Sequence, residues 1–164
     1  MESIVAVSGL ILGKEMVFQS ISSTSTSILK SVKSITDNYD NETKKLFEIL
    51  DIKFKLDIIA SFIENIHNTN IKLHNKTDEA NDDDDDDDAN DGKISTVEHC
   101  IHYIKDIMDG IEKEVKLLEE EIAVYKLKWL GNLSYRQFKD QFDKIRTHVA
   151  ILDNRFDTLI KILK

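Results

Sequence analysis

The sequence predicts an all-α fold, either an elongated up-down four-helix bundle or a pair of long helical hairpins with coiled-coil-like packing. Three observations carry that expectation. Proline is absent and glycine occurs only five times in 164 residues, so both strong helix breakers are missing from almost the whole chain. From Val97 to Trp129, apolar residues recur on a four-then-three spacing: Val97, Ile101, Ile104, Met108, Ile111, Val115, Leu118, Ile122, Tyr125 and Trp129. A second run follows through Tyr135, Phe138, Phe142, Ile145, Val149, Leu152, Phe156, Leu159 and Leu163. Such spacing holds one narrow stripe of a helix against a partner along its whole length, and its heptad-like period predicts shallow left-handed crossings.

The first helix carries Ile4, Val7, Ile11, Phe18, Ile21, Ile28, Val32 and Ile35 in one register, with Lys14 and Ser25 at two stripe positions. Its segment Ser20 to Ser27 is made of serine, threonine and one isoleucine, and short hydroxyl side chains compete for backbone hydrogen bonds. This helix therefore has to be held by its neighbours. After a polar turn at Asp37 to Asn41, helix two runs to Asn75 with Ile49, Ile52, Leu56, Ile59, Ile63, Ile66 and Leu73 in register and Asn70 at one stripe position. Phe47, Leu50, Phe54, Ile58 and Phe62 add a second apolar flank, wider than a two-stranded coil buries. Helix three opens at Ser95 with Glu98 three residues on, and helix four at Ser134 with Gln137 three residues on. Both match the capping box, and Gly131 and Asn132 supply the stop between them. The organisation is thus an N-terminal hairpin over 1–75, an acidic linker over 76–94 and a C-terminal hairpin over 95–164 in one bundle domain.

The net charge of −9 is local: residues 78–91 hold ten acids and no Lys or Arg, leaving 21 acids against 22 bases elsewhere. Mutual repulsion keeps such a run solvated and extended. The consecutive Asp82, Asp83, Asp84, Asp85, Asp86, Asp87 and Asp88 also form a candidate recruitment loop for a basic partner, including a nucleic-acid-binding protein for which the carboxylates act as a decoy. Residues 87–98 resemble the twelve-residue calcium loop of the EF-hand family, with Gly92 at its turn position. That resemblance implies Asp87, Asp91 and Glu98 as direct ligands of weakly bound Ca²⁺ and the Lys93 carbonyl as another. Ala89 stands where the family supplies an oxygen, no second loop pairs with this one, and Ser95 and Glu98 are equally explained by the cap.

Catalytic constellations are missing from the pattern. Glu64 and His67 have the spacing of a di-iron bundle motif, which needs a second copy and two further carboxylates that the sequence does not supply. His99, Cys100 and His102 are neighbours in sequence but diverge around a helix, so one ion does not collect them. Neither a phosphate-binding glycine loop nor a nucleophile elbow occurs. Tyr125 and Trp129, close to Arg136, form a candidate contact tip at one end of the bundle. The expectation is therefore a non-enzyme without a cofactor.

The strings Val7-Ser8-Gly9-Leu10-Ile11-Leu12-Gly13-Lys14, Leu50-Asp51-Ile52-Lys53 and Ile151-Leu152-Asp153-Asn154-Arg155-Phe156 resemble small helical proteins of unassigned function from giant DNA viruses of amoebae and algae. The resemblance implies a viral origin and carries over no functional residue. A single cysteine, Cys100, and no apolar run of spanning length lead to the expectation of a soluble intracellular protein, in host cytoplasm or virion, without direct contact to nucleic acid or membrane. The expected mode of action is binding to a protein partner, or to itself as a homo-dimer, through helix faces.

Overall fold

The computed structural model describes residues 2–37, 41–77, 88–128 and 138–163, with side chains described for 16–37, 43–66, 68, 96–125 and 138–163. Every element among the described residues is helical: α1 (Glu2–Asp37), α2 (Asn41–Leu50), α3 (Ile52–Thr77), α4 (Asp88–Lys128) and α5 (Lys139–Leu163). The long helix α4 is the spine. It packs most extensively on α5 and then on α1, while α1 also meets α2 and α3, and α3 meets α5.

The heptad stripe of α4 is buried as its spacing predicts, from Val97 through Ile101, Ile104, Met108, Ile111, Val115 and Leu118 to Ile122. On α5 the matching ridge is Phe142, Ile145, Val149, Leu152 and Leu159, preceded by Phe138. Tyr103 lies under Arg155, Gly110 meets His148, and Glu114 faces Lys144, so the two helices run antiparallel. The helices approach closely at Gly110, where a Cβ would stand 3.0 Å from His148 Nε2 and the imidazole would have to give way. Each fully buried Ile, Leu or Phe removes enough apolar surface from water to stabilise the fold by about 1.5–3 kcal/mol.

On α1, Ile21, Ile28 and Ile35 are fully buried at seven-residue intervals, and Thr24, Ser25 and Ser31 are buried among them. The weak intrinsic helicity of Ser20 to Ser27 is overcome by docking. Small hydroxyl side chains let α1 lie close to α4, and their oxygens find partners there: Thr24 Oγ1 donates to Asp109 Oδ1 at 3.3 Å, and Ser27 hydrogen-bonds Glu112. Thr26 turns outward and returns its hydroxyl to the Ser22 carbonyl at 3.0 Å. The two interhelical contacts advance together along both chains, so α1 and α4 point the same way.

Helix two of the sequence reading is not continuous. Asp51 adopts φ 49°, and the chain breaks there into α2 and α3. Its N–H donates to the Glu48 carbonyl at 3.1 Å, and its own carbonyl accepts from Lys55 N–H at 3.1 Å. One residue therefore closes α2 in the left-handed conformation typical of a helix C-terminus and opens α3. The break rotates the buried face. Upstream, Thr43, Leu46, Phe47 and Leu50 are buried; downstream, Ile52, Leu56, Ile59 and Ile63 are. Ile49, expected in the buried stripe, is instead exposed. Aspartate tolerates this backbone better than a β-branched residue does, and glycine tolerates it best. In urea denaturation, Asp51→Val is therefore expected to be less stable than Asp51→Gly by about 1–2 kcal/mol.

Helix α4 also begins earlier than the Ser95 cap predicts. Its backbone is helical from Asp88, which leaves Ser95 and Glu98 inside the helix and narrows the interval between α3 and α4 to residues 78–87. Carboxylates in the opening turns favour this extension, because Asp88 and Asp91 stand at the positive end of the helix dipole. The proposed cap at Ser134 and Gln137, and the stop at Gly131 and Asn132, lie outside the described residues.

Candidate interaction face

The inner side of the α2–α3 elbow is pinned to α5 at three levels. Phe47 meets Phe142 edge-on with ring centroids 5.7 Å apart, Lys55 Nζ lies 2.5 Å from Asp153 Oδ2, and Phe62 meets Phe156 edge-on at 5.4 Å. These contacts advance in the same direction along both segments, and the two on α3, Lys55 and Phe62, orient it about its own axis. What remains points outward. Phe54 is 59% exposed and Ile58, one turn later on the same face, 39%; Ile49, just before the elbow, is 79% exposed. The sequence reading placed Phe54 and Ile58 on a buried flank together with Phe47, Leu50 and Phe62. Only Phe47 and Leu50 are buried, and Phe62 is half-buried.

A single exposed aliphatic residue is ordinary on a protein surface, whereas a half-exposed phenylalanine bracketed by two isoleucines marks a place where another surface can be covered. Lys53 and Asp57 immediately precede Phe54 and Ile58, and both are exposed. Among the described residues neither has an ion-pair partner within the chain. Other charged residues pair within the chain, among them Lys105 with Asp109, Lys116 with Glu112 at 2.6 Å, and Lys139 with Asp143 at 2.6 Å. Glu114 Oε2 is buried without a hydrogen bond, but Lys144 Nζ stands 3.7 Å away and supplies a longer-range charge partner.

At the α1–α4 contact, the hydrogen bond from Lys116 and then that from Ser27 hold the Glu112 carboxyl below its ordinary value of 4.5. A carboxyl whose folded-state value is depressed stabilises the fold above the unfolded-state value and loses that contribution as pH falls through the folded one. The Ser27–Glu112 contact is thus expected to weaken in acid below the ordinary carboxylate range.

The other candidate residues do not converge on one site. Tyr125 is half-buried and meets Phe138 edge-on at 6.1 Å, closing the α4–α5 end, while Trp129 and Arg136 lie outside the described residues. Asp82 to Asp87 also lie outside them, and Asp88 is the first residue of α4. Residues 88–98 of the calcium-loop resemblance, Gly92 included, form continuous helix, and Asp87 lies outside the described residues. Asp91 and Glu98 are seven residues apart, which is about 10 Å along that helix. The side chains of Asp91 and Lys93 lie outside the described set, as does that of His67. His99 and His102 are both exposed on α4, while Cys100 is half-buried against the core. Among the described residues, no three His, Cys, Asp or Glu side chains gather as a metal-binding group.

Sequence reasoning missed the elbow face because it carried one stripe through Asp51. The signal was present as two stripes out of phase, 43-46-47-50 and 52-56-59-63, which a single straight helix cannot bury together.

Among the described residues, no helix is long and apolar enough to cross a membrane. No family model matches the chain, and no solved structure matches it. It is similar to an uncharacterized protein of Acanthamoeba polyphaga mimivirus, 24% identical over 149 residues that span 87% of this chain and 72% of the relative. The resemblance to giant-virus proteins read from the sequence agrees with that match.

Proposed function

We propose that this chain is a non-enzymatic interaction protein: an elongated four-helix bundle of two hairpins with coiled-coil-like packing, which binds a protein partner or itself through the outer face of α2 and α3. The observation that carries this reading is Phe54, held outward by three inner contacts and flanked by Ile49 and Ile58. Exposed aromatic side chains of this kind are the usual anchors of protein interfaces, since covering them releases water from a large apolar surface. The buried stripes of α1, α4 and α5 are used for packing. The acidic run Asp82 to Asp88 then adds an electrostatic contribution toward a basic partner, which salt would screen. A single half-buried thiol, Cys100, fits a reducing intracellular setting.

The test is site-specific photocrosslinking in the cells where the protein is made, with p-benzoylphenylalanine at position 54 and, as control, at the exposed polar position Lys113. A discrete adduct at position 54 with none at 113 is expected. Absence of an adduct at 54, or the same adducts from both positions, contradicts the reading.

A further inference from the structure

We infer that the partner on the elbow face is a second copy of this chain, with α3 of the two copies packed antiparallel about a two-fold axis; this rests on the interaction reading above and names its partner. The argument is the charge order beside the apolar anchors. In the antiparallel α4–α5 contact, Gly110 and His148 face each other, and each immediately precedes a buried residue of the ridge, Ile111 and Val149. Positions one before the ridge are therefore the ones that meet across an antiparallel pair. Lys53 and Asp57 hold that same place relative to Phe54 and Ile58.

When two copies of α3 are set antiparallel with Phe54 against the other copy's Ile58, Lys53 of each copy faces Asp57 of the other. The two-fold axis repeats that ion pair, so the face is self-complementary in both apolar shape and charge. Both charges lack a partner within one copy, both are exposed, and each gains one in the pair. A parallel arrangement puts the two Lys53–Asp57 edges on opposite sides of the contact, so neither charge gains the other as a partner. Three apolar side chains per copy make a small interface, which places the dimer in the weak, reversible class.

Sedimentation equilibrium of the full chain is the test. The wild type is expected to show a reversible monomer–dimer equilibrium with a Kd on the order of 10–100 µM. Phe54→Asp is expected to be monomeric throughout. Lys53→Asp is expected to weaken association by about tenfold, since two like-charge pairs replace two attractive ones. Combining it with Asp57→Lys is expected to restore association to near the wild-type level. All three substituted positions are on the surface, and unchanged helical circular dichroism identifies the variants as folded. A wild type that stays monomeric up to about 1 mM, a Phe54→Asp variant that dimerises normally, or a double variant that fails to recover would overturn the inference. A monomeric wild type that still gives a position-54 adduct to a different chain removes the second copy and leaves the interaction reading standing; no adduct at position 54 removes both.

Discussion

Replacing Phe142 with alanine is expected to lower the unfolding free energy by about 3–5 kcal/mol, the largest effect of any single truncation considered. Phe142 is fully buried on α5 and meets Phe47 of α2 edge-on at 5.7 Å, so its ring joins the N-terminal and C-terminal halves of the chain. Removing it takes away the apolar transfer energy, opens a cavity lined by two helices and deletes an aromatic pair. Phe54→Ala is the matched control. The same chemical change at a 59% exposed position is expected to shift stability by less than about 0.5 kcal/mol. Urea denaturation followed by circular dichroism measures both, and similar losses from the two substitutions would place Phe54 in the core.

Ser25→Leu is expected to destabilise the protein by about 1–3 kcal/mol, although leucine is the better helix former and matches the apolar stripe. The reason is distance. Ser25 is buried between Ile21 and Ile28 on the part of α1 that lies against α4, where Thr24 reaches Asp109 and Ser27 reaches Glu112. A larger side chain has to push α1 outward, which breaks both hydrogen bonds and separates buried ridges. An increase in stability would mean that an unfilled space surrounds Ser25 and that α1 is not closely seated.

Legibility in the sequence followed how many residues voted for each feature. Eight apolar positions from Val97 to Ile122 all agree on one face of α4, and most of the α5 stripe agrees as well, although Phe156 is only half-buried and Leu163 is exposed; periodicity alone identified the buried side of both. The burial of Ile21, Ile28 and Ile35 was readable in the same way, and so was the dependence of the serine-rich segment on its neighbours. The elbow was not, because it turns on the backbone of one residue. Asp51 at φ 49° is a local choice that hydrophobic spacing does not encode directly, and it moves Ile49 from the expected core to the surface. The start of α4 was misplaced for a related reason: a good capping box at Ser95 and Glu98 competed with helix-favouring acids farther upstream, and local signals do not rank them. The calcium-loop resemblance drew on those same residues, which lie within α4. The site was thus half-legible: Phe54 and Ile58 were recognised as an extra apolar flank, but their outward direction depends on how α5 pins the opposite side of α3.

Cysteine accessibility around the elbow tests the central claim most directly. In a Cys100→Ser background and in dilute solution, single cysteines at positions 47, 49, 54 and 56 would be reacted with a maleimide and their rates compared with that of the unfolded chain. The structure predicts rapid labelling at 49 and 54 and strong protection at 47 and 56, since Phe47 and Leu56 are buried while Ile49 and Phe54 are exposed. Protection at 49 together with 56 would instead restore the straight helix and its single stripe, and with it the outward face on which binding depends would be lost.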